Sequence, residues 1–394
     1  MKFGKISKFF GDKLKSFKAA DVITENVLSV PPALENQNLG FGGLNTPRML
    51  RVDYSDARGW ETPRIEAFKP LQIHPFNSTL HYGICSFEGL KAYRGKNEEL
   101  MLFRPMENCK RFLESNRRLS LPGFDPKELL SLIEHFVKLE KDWIPDIENG
   151  SLYIRPFSFS LTNKLGVHRA TESSIMVVAS PVGDYFSGEI NLSVYEDYWR
   201  GSPKSAAAYK IGANYAPTIQ IADDLNKKGI SQAVWVYDDC LLESGATNLF
   251  FFIKSKDGKV ELVTHPLDGC ILPGITRDAL LKLAPTIIPD IKVSERPFRI
   301  PEFQQCHKEG RLLEMFVSGT ASVIGHVHSL DIRNHKYVLD SSNGSNFSSD
   351  LRKRLIDIQT GVHAHEYCLD RRHVHLEQVI VKHGEPQYGC KYNL

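Results

Sequence analysis

The chain has 394 residues, 42% hydrophobic and 24% charged, with a formal net charge of +2. That is the composition of a globular protein long enough for two domains. The near-balanced charge gives no reason to expect a nucleic-acid or membrane-surface partner, and no apolar run approaches the ~20 residues of a membrane span. The seven cysteines, at 85, 109, 240, 270, 306, 368 and 390, form no CxxC pair. An odd, scattered set points to free thiols in a reducing compartment.

In chain order, residues 1–16 are a basic amphipathic extension. Phe3, Ile6, Phe10 and Leu14 recur at helical spacing among lysines, and Phe17 continues the series. It reads either as a mitochondrial presequence or as a solvated N-terminal helix, so the compartment stays open between mitochondrion and cytoplasm. The lack of Arg and the presence of Asp12 count against the presequence. Residues 30–48 are loop-like. MLRVDY, LHYGICSF, LKAYRG and ELMLFR follow as expected strands. Residues 126–144 predict an amphipathic helix with Leu129, Ile133, Phe136 and Val137 on one face. SLYIRPFSFSL and SIMVVASPV are strand-like, and 183–191 has turn composition. In the second half, AVWVYDD and NLFFFIK predict strands, and KDGK before VELVT a hairpin. ITRDALLKLA and SSDLRKRLIDIQ predict helices, the latter with Leu351, Leu355 and Ile358 on one side. Strands and helices mix without strict βαβ alternation, which argues for α+β over a doubly wound sheet. Residues 371–394 are polar and His-rich and read as a poorly anchored tail.

Generic motif scans yield little. GFGG at 40–43 is a loop, and there is no Walker-type phosphate loop and no HExxH. The tail's HxH pairs lack a closed set of ligands, so no metal is expected. Three separated segments carry more. Tyr209–Tyr215 (YKIGANY) puts Lys210 between an expected strand and a small-residue turn, where a desolvated lysine could form a Schiff base. Residues 242–250 (LESGATNLF) put a carboxylate, Glu243, beside a turn. Residues 272–278 (LPGITRD) are a turn opening a helix, and such a start offers N–H groups to a phosphate. Read singly, these are a surface lysine, a hairpin and a Pro-Gly turn.

Together the segments resemble the class IV (fold type IV) pyridoxal-phosphate aminotransferases: Glu-x-Gly-x-x-Asn-Leu-Phe, then Leu-Val-Thr, then Leu-Pro-Gly-Ile-Thr-Arg. Within that class FEGLKAYRG, LFRPMENCKR, SLYIRPF, SPVGDYF, YKIGANYAPT and MFVSGTAS resemble the eukaryotic branched-chain aminotransferases, in their order, from about residue 16 to 370. The resemblance implies a two-domain fold: a small domain over 17–185, a connection at 186–190, and a large cofactor domain over 191–370 carrying Lys210, Glu243 and the phosphate turn. It implies a ping-pong transfer of the amino group from L-leucine, L-isoleucine or L-valine to 2-oxoglutarate.

The same resemblance implies roles. Lys210 would form the Schiff base with pyridoxal phosphate, Glu243 would pair with the ring nitrogen, and Tyr215 would bind the phenolic oxygen. Arg111, the amides of Ile275 and Thr276, and Thr320 would hold the phosphate. Tyr82, Phe87, Leu165, Val167 and Tyr185 would line the branched-chain pocket, with Tyr82, Leu165 and Val167 supplied by the partner subunit of a homodimer. Arg155, helped by Tyr153, would take glutamate's second carboxylate, and Ala321 would sit at the substrate. The chain departs from the family pattern at Ala246, where relatives have Thr, at Ser322 and Gly325, where many animal relatives have a CxxC, and at Ala213 and Ala216. Two alternatives remain: another enzyme of the same fold, such as a D-amino-acid aminotransferase or aminodeoxychorismate lyase, and a non-catalytic relative.

Overall fold

The computed structural model describes residues 15–34, 39–95, 98–186, 188–339, 346–363 and 390–392. The amphipathic extension and the polar tail therefore lie outside the described residues, apart from 15–16 and the three-residue strand Cys390–Tyr392. Among the described residues no helix is long and apolar enough to cross a membrane. The fold is mixed, and its contacts group the chain into two units. Among the described residues, the first holds those up to Gly183 together with Tyr209–Ala213 and Tyr392, and the second holds 184–208 and the chain from Asn214 to Lys391.

The sheet of the first unit is built from β1 (Ile23–Thr24), β2 (Arg48–Ser55), β3 (Gly59–Trp60), β4 (Arg64–Ala67), β5 (Cys85–Phe87), β6 (Leu90–Arg94), β7 (Leu100–Leu102), β8 (Ser151–Ser160) and β9 (Glu172–Val182). Their order is β1-β4-β2-β9-β8-β6-β7, with β3 on β2 and β5 on β8. Among the described residues its α-helices are α1 (Ser78–Tyr82), α2 (Pro105–Arg118) and α3 (Pro126–Leu139). In α3, Asp125 caps the first turn by accepting from the Lys127 N–H, and Leu129, Ile133, Phe136 and Val137 are fully buried.

LHYGICSF is not one strand. Its first half is the end of α1, started by the Asn77 side chain accepting from the Thr79 N–H and stopped by Gly83 at φ 61°. Only Cys85–Phe87 are extended. Caps at both ends outweigh an apolar run too short to specify a period.

The second unit contains β10 (Ile190–Tyr195), β11 (Gln232–Tyr237), β12 (Cys240–Ser244), β13 (Thr247–Lys254), β14 (Val260–Thr264), β15 (Lys292–Glu295), β16 (Leu312–Gly319), β17 (Val323–Ile332) and β18 (His335–Val338). The order is β12-β11-β10-β17-β16-β13-β14-β15, and β12 also pairs with β13, which closes six strands into a ring. Helices α4 (Ile219–Asn226), α5 (Ile275–Ile287), α6 (Ile300–Lys308) and α7 (Phe347–Gln359) complete the unit. Leu249, Phe251, Phe298, Phe303, Met315 and Val327 form its apolar centre.

A charge cluster pins the β14–β15 edge. Glu261 pairs with Lys292 at 3.2 Å and with Arg296 at 3.2 Å, and Arg296 reaches Glu302 at 2.8 Å. Burial alone would raise the Glu261 carboxyl, but the Arg296, Ser294 and Lys292 hydrogen bonds outweigh it and hold the group below 4.5. A depressed folded value means stability that is present above pH 4.5 and lost as pH falls through it. Glu261→Gln is expected to cost about 1–3 kcal/mol in urea unfolding at pH 7, and the gap from the parent should close below pH 4.5.

Candidate active site

In the first unit the Lys210 backbone is held from two sides. Phe87 donates its N–H to the Lys210 carbonyl at 3.0 Å, and Ser86 and Ile211 form a bridge. From α2, the buried Ser115 hydroxyl accepts the Lys210 N–H at 2.9 Å. No strand precedes the lysine, contrary to expectation: β10 ends at Tyr195, and residues 201–210 are irregular. These backbone bonds to β5 and α2 are why Lys210 groups with the first unit and not with the large domain. Its Nζ lies 4.9 Å from the centre of the Phe87 ring.

Around Phe87 stand a cation and a second ring. The Arg155 guanidinium is 4.9 Å from the Phe87 ring and 5.2 Å from Tyr153, and its Nη2 donates to the Tyr153 hydroxyl at 3.3 Å. Residues 153 and 155 alternate along β8 and so share a face. The Arg155 Nε is buried with no hydrogen-bond partner. Gly89 lets the Tyr153 hydroxyl approach, since a Cβ there would meet it at 1.9 Å. One turn along α2, Arg111 is gripped by the buried Glu88: Nε donates to Oε2 at 2.8 Å and Nη2 to Oε1 at 2.6 Å. A two-bonded fork fixes where the guanidinium charge sits.

In the second unit the β12–β13 hairpin turns over Gly245–Ala246, with Gly245 at φ 51°. That turn sets Glu243 directly opposite Asn248. Glu243 is 2% exposed, and three donors hold its carboxylate: Oε2 accepts from Arg200 at 2.8 Å, and Oε1 accepts from Asn248 Nδ2 at 3.1 Å and from the Leu272 N–H at 3.0 Å. Asn248 also donates to the Leu272 carbonyl at 3.0 Å. The hairpin is thereby tied to the turn that starts α5. Arg200 also faces the Tyr215 ring at 5.3 Å.

Ile275 and Thr276 open α5, so their N–H groups lie at the helix's positive end, and Gly274 at the cap brings no side chain over them. A Cβ at Gly274 would meet Asn248 Oδ1 at 2.0 Å, so only glycine fits. Ser318 is cross-strand from Asn248, and Gly319 lies beside Thr247 and Ser322. The Ser318 and Ser322 hydroxyls are buried without partners. Thr320 and Ala321 occupy this same β16–β17 turn. A glycine-lined helix start, orphaned hydroxyls and a buried carboxylate beside them suit a phosphorylated, protonated pyridine.

The remaining expected residues fall elsewhere. Tyr82 accepts the Gly166 N–H at 2.6 Å and so carries the loop bearing Leu165 and Val167, which are 48% and 89% exposed. At that exposure Val167 lines nothing within this chain. Tyr185, in the second unit, packs edge-on to Phe186. Ala246 is exposed at the hairpin turn, and Thr247 does not replace the missing hydroxyl because it donates to the Ser244 carbonyl at 2.7 Å. A Cβ at Gly325 would meet Ile190 Cδ1 at 2.5 Å, so a cysteine there would require the Ile190 side chain to move. Arg200, Asn248 and Glu88 were not anticipated from sequence. Asn248 carried a signal, because residues five apart across a two-residue turn face each other, whereas Arg200 carried none.

Residues 86–330 match the family described as Amino-transferase class IV. The chain is 40% identical to the mitochondrial branched-chain-amino-acid aminotransferase of Bos taurus over 364 residues, covering 90% of this chain and 92% of that protein. It is 36% identical to the cytosolic branched-chain-amino-acid aminotransferase of Ovis aries over 357 residues, with 89% and 92% covered. Its fold is like that of the branched-chain aminotransferase of Thermoproteus uzoniensis, solved with norvaline, at TM-score 0.63 and 22% identity over 79% of this chain and 95% of that one. The chain belongs to the class IV aminotransferases and, within them, to the branched-chain-amino-acid aminotransferases.

Proposed function

We propose that this protein is a transaminase that uses pyridoxal phosphate to move amino groups between L-leucine, L-isoleucine or L-valine and 2-oxoglutarate, with the residues above in the following roles. Bound pyridoxal phosphate supplies the electron sink for the substrate Cα–H bond pair. Lys210 Nζ moves the Cα proton. Glu243, held ionised by Arg200, Asn248 and the Leu272 N–H, presents the negative charge that keeps a proton on the cofactor's ring nitrogen. Tyr215, stacked against Arg200, would bind the cofactor's phenolic oxygen. Arg111, the α5 amides of Ile275 and Thr276, and Thr320 bind the phosphate.

The observation that carries the substrate reading is the Phe87–Tyr153–Arg155 group. An aliphatic side chain needs aromatic walls, and 2-oxoglutarate needs a cation at the same place. A guanidinium lying over two rings with one N–H unpaired offers both. Arg155→Gln is expected to raise KM for 2-oxoglutarate about 10- to 100-fold, the worth of a charge-assisted hydrogen bond, and to leave KM for L-leucine within about threefold. Equal losses on both substrates would assign Arg155 to structure. Turnover on a panel of L-leucine, L-isoleucine, L-valine and D-alanine tests the function itself, and activity on D-alanine alone would refute it.

The exposed Leu165 and Val167 loop, with Tyr82 beneath it, supports a homodimer in which a second copy covers these side chains. Sedimentation equilibrium should give twice the chain mass, and a single-chain mass would remove that reading. Named relatives occur in both mitochondrion and cytosol.

A further inference from the structure

No metal is expected from the sequence, yet the described residues hold a compact donor set. His265, Asp268 and Cys270 each present one ligand atom, and these atoms lie within 4.8 Å of one another. We propose that His265, Asp268 and Cys270 bind a zinc-class divalent cation, with solvent supplying the fourth ligand.

The loop between β14 and α5 is built to hold these three together. His265 Nε2 and Asp268 Oδ2 are 3.1 Å apart. The Cys270 N–H donates to Asp268 Oδ1 at 3.0 Å, which turns the carboxylate toward both neighbours. Gly269, at φ 102°, makes the sharp bend that returns Cys270 to the same side. The loop is clamped from outside: the Arg277 guanidinium donates to the His265 carbonyl at 2.7 Å, and a Cβ at Gly201 would meet the Cys270 carbonyl at 2.1 Å.

The chemistry is that of a borderline-soft ion. One imidazole, one carboxylate and one thiolate match Zn2+ better than Mg2+ or Ca2+, which take oxygen ligands. His265 and Cys270 are 4% and 3% exposed, while the Asp268 side chain is 43% exposed. The ion therefore enters along the carboxylate, with room for a bound water. Tetrahedral Zn2+ sets donor separations of about 3.4 Å, so the His265–Asp268 pair would open slightly while the widest separation closes by on the order of 1 Å. As the metal–sulfur bond forms, the thiol proton passes to solvent.

The test is equilibrium dialysis of the full-length holoenzyme against Zn2+, with metal counted per chain. Parent protein should bind one cation more per chain than Cys270→Ser or His265→Gln, and Asp268→Asn should weaken that cation's binding at least about tenfold. Co2+ in place of Zn2+ gives the parent a thiolate-to-metal absorption that persists in Cys306→Ser and is absent from Cys270→Ser. Equal metal counts in parent and variants, or cobalt bound to the parent without a thiolate band, would overturn the assignment. The second result needs no substitution, so a variant that fails to fold does not blunt the test.

Discussion

Lys210→Ala is expected to lower transamination at least about 10^4-fold, the upper range for removing a positioned proton-transfer group that is also the covalent anchor. The fold should survive. The backbone of residue 210 makes the bonds to Phe87 and Ser115, and alanine keeps both. The side chain's contact with the Phe87 ring is worth about 0.5–1 kcal/mol at a partly exposed site. A folded, inactive variant without the visible absorbance of bound cofactor is the expected result. Substantial residual turnover would move the catalytic lysine elsewhere.

Replacing Glu243 should have the second-largest effect, on activity and stability together. In Glu243→Gln the amide cannot match the charge of Arg200, 2.8 Å away with its side chain 3% exposed. Breaking a buried pair from one side costs about 3–5 kcal/mol. The neutral amide also no longer favours a proton on the ring nitrogen, and kcat should fall about 10^2- to 10^4-fold. The double variant Arg200→Met, Glu243→Gln separates the effects, because the Gln oxygen still accepts from Asn248 and the Leu272 N–H. With both charges gone, chemical denaturation should show most of the stability restored, while turnover stays lost. Recovery of both together would reduce Glu243 to a structural ion pair.

Particular elements show why some of this was legible in sequence. Helix α3 has an uninterrupted apolar stripe and an Asp-Pro start, so its period and its cap agree. Helix α2 was not foreseen, because much of its buried face is polar. Asn108, Ser115 and Asn116 are buried as hydrogen-bonding groups, with Asn108 donating to the Gly89 carbonyl at 2.9 Å and Ser115 accepting from Lys210. A stripe of buried polar residues has no hydrophobic period to read. The site divides the same way. Glu243, Lys210 and the α5 turn sit in local motifs that a resemblance can carry. Arg200 lies 43 residues from Glu243 in an irregular loop, and only folding reveals the pairing. Glu88 stands within a quoted motif, but its hold on Arg111 spans 23 residues and two elements.

The most direct measurement of the central claim follows the holoenzyme's visible absorbance through one half-reaction and then the other. L-leucine alone, without an acceptor, should abolish the band of bound pyridoxal phosphate as the amino group stays on the enzyme. Adding 2-oxoglutarate afterwards should restore it and release glutamate in a one-to-one ratio with active sites. A band indifferent to L-leucine but removed by D-alanine, or a protein that takes up no pyridoxal phosphate, would contradict the account.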